Sequence, residues 1–120
     1  MSKKTLVIGA SENPERYAYK AIHKLVNYGH ETLALGLRKG ETAGVKFHTK
    51  QEKFENLDSV TLYVSAKNQD SYKDYLVDLK PKRIIFNPGT ENPEFYTVLE
   101  KSGIEVTEAC TLVLLSIGNY

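Results

Sequence analysis

The sequence predicts a single α/β domain, a three-layer α/β/α sandwich built on a parallel, Rossmann-like sheet. Three observations carry that reading. Short apolar runs rich in β-branched residues alternate with segments of helical periodicity. The runs at 5–8, 32–35, 60–64 and 83–86 end at Gly9, Gly36, Ser65 and Asn87, residues that turn a chain out of a strand. The length, 120 residues, suits one domain, so residues 1–120 are read as one unit with little room for a separate substrate domain.

The elements follow in order. Thr5-Leu6-Val7-Ile8 is uniformly apolar or β-branched, as a strand covered on both faces must be. Asn13-Pro14 has the form of a helix start, with Asn as cap and Pro in the first turn. Ala18, Ala21, Ile22, Leu25 and Val26 then recur at helical spacing up to Gly29, which fits the left-handed position after a helix. Thr32–Leu35 is the second strand. Residues 38–56 are mixed and polar, with a short strand near Val45–Phe47. Val60–Val64 is the next strand. A helix from about Gln69 to Leu79 aligns Tyr72, Tyr75, Leu76 and Leu79, and Pro81 stops it. Arg83–Phe86 is a strand. A helix from Pro93 to about Ser102 turns Phe95, Val98 and Leu99 inward. Ile104–Val106 is a last strand, and the apolar tail from Cys110 to Ile117 is either a strand or a short helix.

Composition excludes several classes. The net charge of +1 gives no sign of a nucleic-acid partner. No apolar run is long enough to span a membrane, and the first residues lack the apolar stretch of a secretory signal. The single cysteine, Cys110, excludes an internal disulfide. A cytoplasmic protein is expected.

Ligands of parallel sheets bind at the carboxyl ends of the strands, where the strand order reverses. Four loops should share that edge: Gly9–Asn13, Gly36–Gly40, Ser65–Asn68 and Asn87–Asn92. The tetrapeptide Glu-Asn-Pro-Glu stands in two of these strand-to-helix connections, at 12–15 and 91–94. Free amides at helix starts attract anions, although both copies also read simply as good helix starts. In the first loop Gly9 permits a sharp turn, Ala10 is small, the Ser11 hydroxyl can donate to a phosphate, and Arg16 can reach back to one. The further glycines of a dinucleotide fingerprint are missing. After the second strand an NAD enzyme wants an acid for the ribose. Here Leu35-Gly36-Leu37-Arg38-Lys39-Gly40 has none, and Arg38 and Lys39 suit a ribose phosphate, as NADP and coenzyme A both carry. The third loop offers Ser65 and Lys67. The fourth, Asn87-Pro88-Gly89-Thr90-Glu91-Asn92, offers backbone amides and the Thr90 hydroxyl, with no strong catalytic group.

Chemistry for catalysis is not visible. His23, His30 and His48 are scattered and read as surface residues; Cys110 reads as a buried small residue; no P-loop is present.

Gly9-Ala10-Ser11 with Pro14 and Arg16, the turn at 87–92, and Glu108-Ala109-Cys110-Thr111-Leu112-Val113 together resemble the small stand-alone coenzyme A-binding proteins. These are similar to the CoA-binding domain of the succinyl-CoA synthetase alpha subunit without its catalytic half. The resemblance spans nearly the whole chain. It implies that Gly9, Ala10 and Ser11 meet the CoA pyrophosphate with Arg16 nearby. It also implies that Leu35, Gly36 and Arg38 lie near the adenosine and its 3′-phosphate, and that Ser65 and Asn87–Thr90 line the remainder. Asn13 belongs to the same first loop. The chain departs from the family at Leu35-Gly36-Leu37, where a Val-Asn-Pro-like strand end is common, and at the NPGTEN turn. The expected function is CoA or acyl-CoA binding without catalysis. Two rivals stand beside it: an NADP-binding oxidoreductase or redox sensor, and an interaction module, with a homodimer as one form, whose nucleotide pocket is vestigial.

Overall fold

The structure, a computed structural model, describes residues 2–120. Among them are seven strands, β1 Thr5–Ile8, β2 Thr32–Leu35, β3 Glu41–Thr42, β4 Val45–His48, β5 Ser59–Leu62, β6 Arg83–Phe86 and β7 Glu105–Glu108. The four α-helices are α1 Tyr17–Asn27, α2 Asp70–Leu79, α3 Pro93–Lys101 and α4 Thr111–Ser116. The strands form one sheet in the order β3-β4-β2-β1-β5-β6-β7. Every neighbouring pair is parallel except β3 and β4, which form an antiparallel hairpin at the edge. The six parallel strands run in the doubly wound order, and the chain reverses direction across the sheet between β1 and β5.

Two apolar layers explain the sandwich. Successive side chains of a strand point to opposite faces. Leu6 and Ile8 of β1 pack in one cluster with Leu76 of α2 and Phe95 and Leu99 of α3. Val7 points the other way, into a cluster with Ala18, Ile22 and Leu25 of α1 and Leu115 of α4. So α2 and α3 cover one face and α1 and α4 the other, and the predicted three-layer class holds. All four residues of β1 and of β5 are buried, as strands at the centre of a covered sheet must be.

Two expectations need correction: where α1 begins, and which valines the helices bury. Helix α1 begins at Tyr17, not at Asn13-Pro14. The Asn13 carboxamide oxygen accepts from Glu15 N at 3.0 Å, and Asn13 O accepts from Arg16 N at 3.0 Å, so the residues after Asn13 close a turn first. The second Glu-Asn-Pro-Glu does start a helix, with Asn92 at the cap and Pro93 inside. Val98 of α3 is 48% exposed and is no core residue, and Val26 of α1 is also exposed. The expected short strand near Val45–Phe47 is β4, and β3 pairs with it in a hairpin. Ala43 and Gly44 both have positive φ, +52° and +78°, as the two-residue turn that matches strand twist demands. The apolar tail resolves to the short helix α4.

Candidate functional site

The reversal of strand order places the exits of β1 and β5 side by side, and the site is built around them. Gly9 leaves β1 at φ +95°, and a Cβ there would stand 2.8 Å from Tyr63 O at the exit of β5. The first use of this glycine is therefore to let two strand ends meet. The amides of Gly9 and Ala10 both donate to Leu35 O, at 2.9 and 3.1 Å. They join the first loop to the exit of β2 and are not free for a phosphate. Gly36 completes the joint: a Cβ on it would lie 3.0 Å from Ala10 O. Leu35 itself is 2% exposed and packs in the core, so its side chain cannot touch an adenosine. The exposed leucine of this loop is Leu37, at 90%, beside the exposed Arg38 and Lys39.

What remains open in the first loop is its outer half. The Ser11 hydroxyl oxygen accepts from Asn13 N at 3.0 Å and keeps its own proton to donate. Arg16 occupies the N-cap of α1, is exposed, and provides no side-chain cap. The first-turn amides of this eleven-residue helix thus have no side chain closing them, and a guanidinium stands at the same end. Asn13 is exposed and spends its carboxamide oxygen on the turn.

On the other side of the reversal, the side chains of Asn87 and Thr90 belong to a buried polar network. Asn87, 2% exposed, donates to Thr61 Oγ1 at 2.7 Å and Leu62 O at 3.0 Å, and accepts from Thr111 N at 2.9 Å. Both Nδ2 protons and the carbonyl oxygen of its carboxamide are engaged by the fold. Thr90 is likewise buried; its hydroxyl donates to Asn87 O at 2.8 Å and closes the turn. Both leave the set of side chains available to a ligand. Pro88 and Gly89 form the exposed tip, with Gly89 at φ +93° as a Pro-Gly turn requires. Ser65 is half-buried, and its hydroxyl oxygen accepts from Asn68 Nδ2 at 3.1 Å.

Three residues gained roles that sequence patterns did not signal. Gln69 is fully buried. It donates to Val64 O at 2.8 Å and Thr90 O at 2.7 Å and accepts from Asn92 at 3.0 Å, which holds the third loop to the fourth. Tyr63 lies over the centre of the reversal. Burial pushes its phenol up to about 12; the hydroxyls of Thr61 and Thr111 pull the other way, but neither is its hydrogen-bond partner. Glu12 reaches from the first loop to the second, where its carboxylate accepts from Glu41 N at 2.9 Å. No helix start uses it. A cleft of about 500 Å³ opens there, lined by both loops and the exit of β4.

The histidines are half-buried rather than free on the surface. His23 pairs with Thr42 Oγ1 at 2.7 Å, His30 Nδ1 accepts from Lys3 N at 2.9 Å, and His48 pairs with Glu52. Cys110 is half-buried at the N-cap of α4. Among the described residues no cluster of three or more metal-ligating side chains occurs, and no helix is long and apolar enough to cross a membrane.

This arrangement, a glycine turn and an open helix start at the reversal of a doubly wound sheet, agrees with the comparison to known families. The family described as a CoA-binding domain matches residues 3–116. The chain belongs to that family. Among solved structures similar to this CoA-binding-domain chain, a crystal structure of a protein described as uncharacterised is 46% identical. It covers 100% of this chain and 99% of its own, with a TM-score of 0.97. A conserved hypothetical protein from Pyrococcus furiosus is 28% identical, covers 88% and 91%, and has a TM-score of 0.77. A Thermus thermophilus protein, 21% identical, covers 99% and 91% at a TM-score of 0.87 and shares the fold. No curated protein matches the chain.

Proposed function

We propose that this CoA-binding-domain protein binds coenzyme A or an acyl-CoA and performs no catalysis of its own. The observation that carries the reading is the open start of α1 at the strand-order reversal, with Arg16 at its cap. A pyrophosphate there gains the helix dipole, the Ser11 hydroxyl and the guanidinium together. The amides of Gly9 and Ala10 shape this seat without donating into it. Arg38 and Lys39, exposed at the exit of β2, suit the ribose phosphate, and the exposed Leu37 beside them offers an apolar surface to the base. The pantetheine arm runs toward Ser65 and the Pro88-Gly89 tip. The donor set fits a polyanionic nucleotide and supplies no nucleophile paired with a base.

The same basic loop would accept NADP, so the test titrates both ligands calorimetrically. Saturable CoA binding that weakens in Arg16→Ala and Arg38→Ala is the expected result. Binding of NADPH without CoA would move the protein to a redox role. Silence with both would leave an interaction module with a vestigial pocket, and a stable dimer in solution would support that outcome.

A further inference from the structure

A doubly wound sheet that binds an unphosphorylated ribose keeps an acid at the exit of its second strand, and a basic residue takes that place when the ribose carries a phosphate. Along the chain the exit of β2 has only the basic pair Arg38 and Lys39. In space it has an acid as well. Glu12 crosses from the first loop, and its Oε2 accepts from Glu41 N at 2.9 Å. Gly40 makes the crossing possible, because a Cβ on Gly40 would stand 2.8 Å from the Glu12 carboxyl carbon. The carboxylate is therefore seated against the second loop, next to Lys39, with Oε1 left for a hydroxyl donor. The cleft it lines is no simple anion trap: Lys39, Lys46 and Lys50 are balanced by Glu12, Glu41 and Glu52.

We propose that Glu12 is the specificity-determining residue by which this site weighs a ribose phosphate against a free ribose hydroxyl. It offsets the attraction of Arg38 and Lys39 for the phosphate, so a 3′-phosphorylated and a dephosphorylated CoA bind with similar affinity. The proposal rests on the CoA reading above and goes beyond it, since that reading alone predicts that the basic loop favours CoA.

The experiment titrates the protein with CoA and with dephospho-CoA and reads the ratio of the two dissociation constants. In the native chain the ratio stays within a few-fold of one. Glu12→Gln removes the charge and keeps the hydrogen-bonding shape, so the preference for CoA rises by roughly fivefold, less at high salt. Gly40→Ala keeps the charge but takes the carboxylate's seat, and it shifts the ratio the same way. Glu100→Gln, on α3 and outside the cleft, leaves the ratio unchanged. An unchanged ratio in Glu12→Gln, or an equal change in Glu100→Gln, overturns the proposal while CoA binding itself stands. Failure of both ligands to bind the native chain overturns the CoA reading and this proposal together.

Discussion

Gly9 and Gly29 share a positive φ but not their surroundings, which separates two reasons for a glycine. Both have positive φ, +95° and +82°. A Cβ at Gly29 meets nothing within 4 Å, whereas one at Gly9 meets the Tyr63 carbonyl at 2.8 Å, fixed there by the central strand β5. Gly29→Ala should therefore cost only the left-handed conformation, about 1 kcal/mol. Gly9→Ala adds a backbone clash that no rotamer relieves and should cost about 3 kcal/mol. Urea unfolding of the two variants measures the difference. Asn87 is the other residue whose substitution reaches far. Asn87→Ala leaves the buried Thr111 N and Leu62 O without their partners. A loss of about 3 kcal/mol is expected from orphaned groups of this kind, with no direct loss of a ligand contact. Denaturant midpoints measure the first, and CoA titration at a temperature where the variant is folded measures the second.

At the scale of elements, α1 carries the conflict between stability and function. Its N-cap residue has the extended backbone of a cap, φ −80° and ψ 140°, but an arginine side chain that does not close the helix. Arg16→Ser should cap it and raise stability by about 1 kcal/mol. The same change removes the cation at the pyrophosphate seat and should weaken CoA binding by roughly tenfold. A thermal melt and a titration moving in opposite directions support the reading; a melt that rises with unchanged affinity would sink it. The helix also shows what a sequence can and cannot display. The alternation of buried strands with periodic helices made the sandwich legible, because burial on both faces leaves continuous apolar runs such as Thr5–Ile8. Asn92-Pro93 was legible as a helix start, and the chemically identical Asn13-Pro14 misled, since the Asn13 side chain bonds Glu15 N and closes a turn before the helix. The site was half legible. Arg16 and Arg38 stand exposed and Ser11 half-buried on the expected edge, but Leu35, Asn87 and Thr90 are buried, and only tertiary structure shows that the polar groups of the last two serve the fold. Glu12 and Gln69 were invisible as linkers, because a partner 29 or 21 residues away leaves no periodic trace.

The whole molecule responds to pH through groups that burial holds neutral. Burial, and then the Lys3 and Arg83 charges, lower the His30 pKa from its ordinary 6.5, so the unfolded chain takes up that proton first and stability falls as pH drops below about 6.5. The alkaline side rests on four phenols, among them Tyr120, which burial holds above its ordinary value. Burial raises Tyr63, Tyr75 and Tyr96 from 10 to about 12 each. A group whose folded pKa lies above its unfolded value adds stability below the unfolded value and loses it as pH rises through the folded one. Stability should thus decline between pH 10 and 12, as the unfolded chain gives up phenolic protons that the native sheet retains. Tyr63 and Tyr96 make the test sharp, because their buried hydroxyls have no hydrogen-bond partner among the described residues. Tyr63→Phe and Tyr96→Phe remove a titrating group without breaking a bond, so the double variant should match the native chain or exceed it at pH 8 and show a shallower decline above pH 10. Urea midpoints at pH 8, 10 and 11.5 decide it. A double variant that is much weaker at pH 8 would mean that these hydroxyls are bonded in solution, and an unaltered slope above pH 10 would mean that other groups drive the alkaline loss.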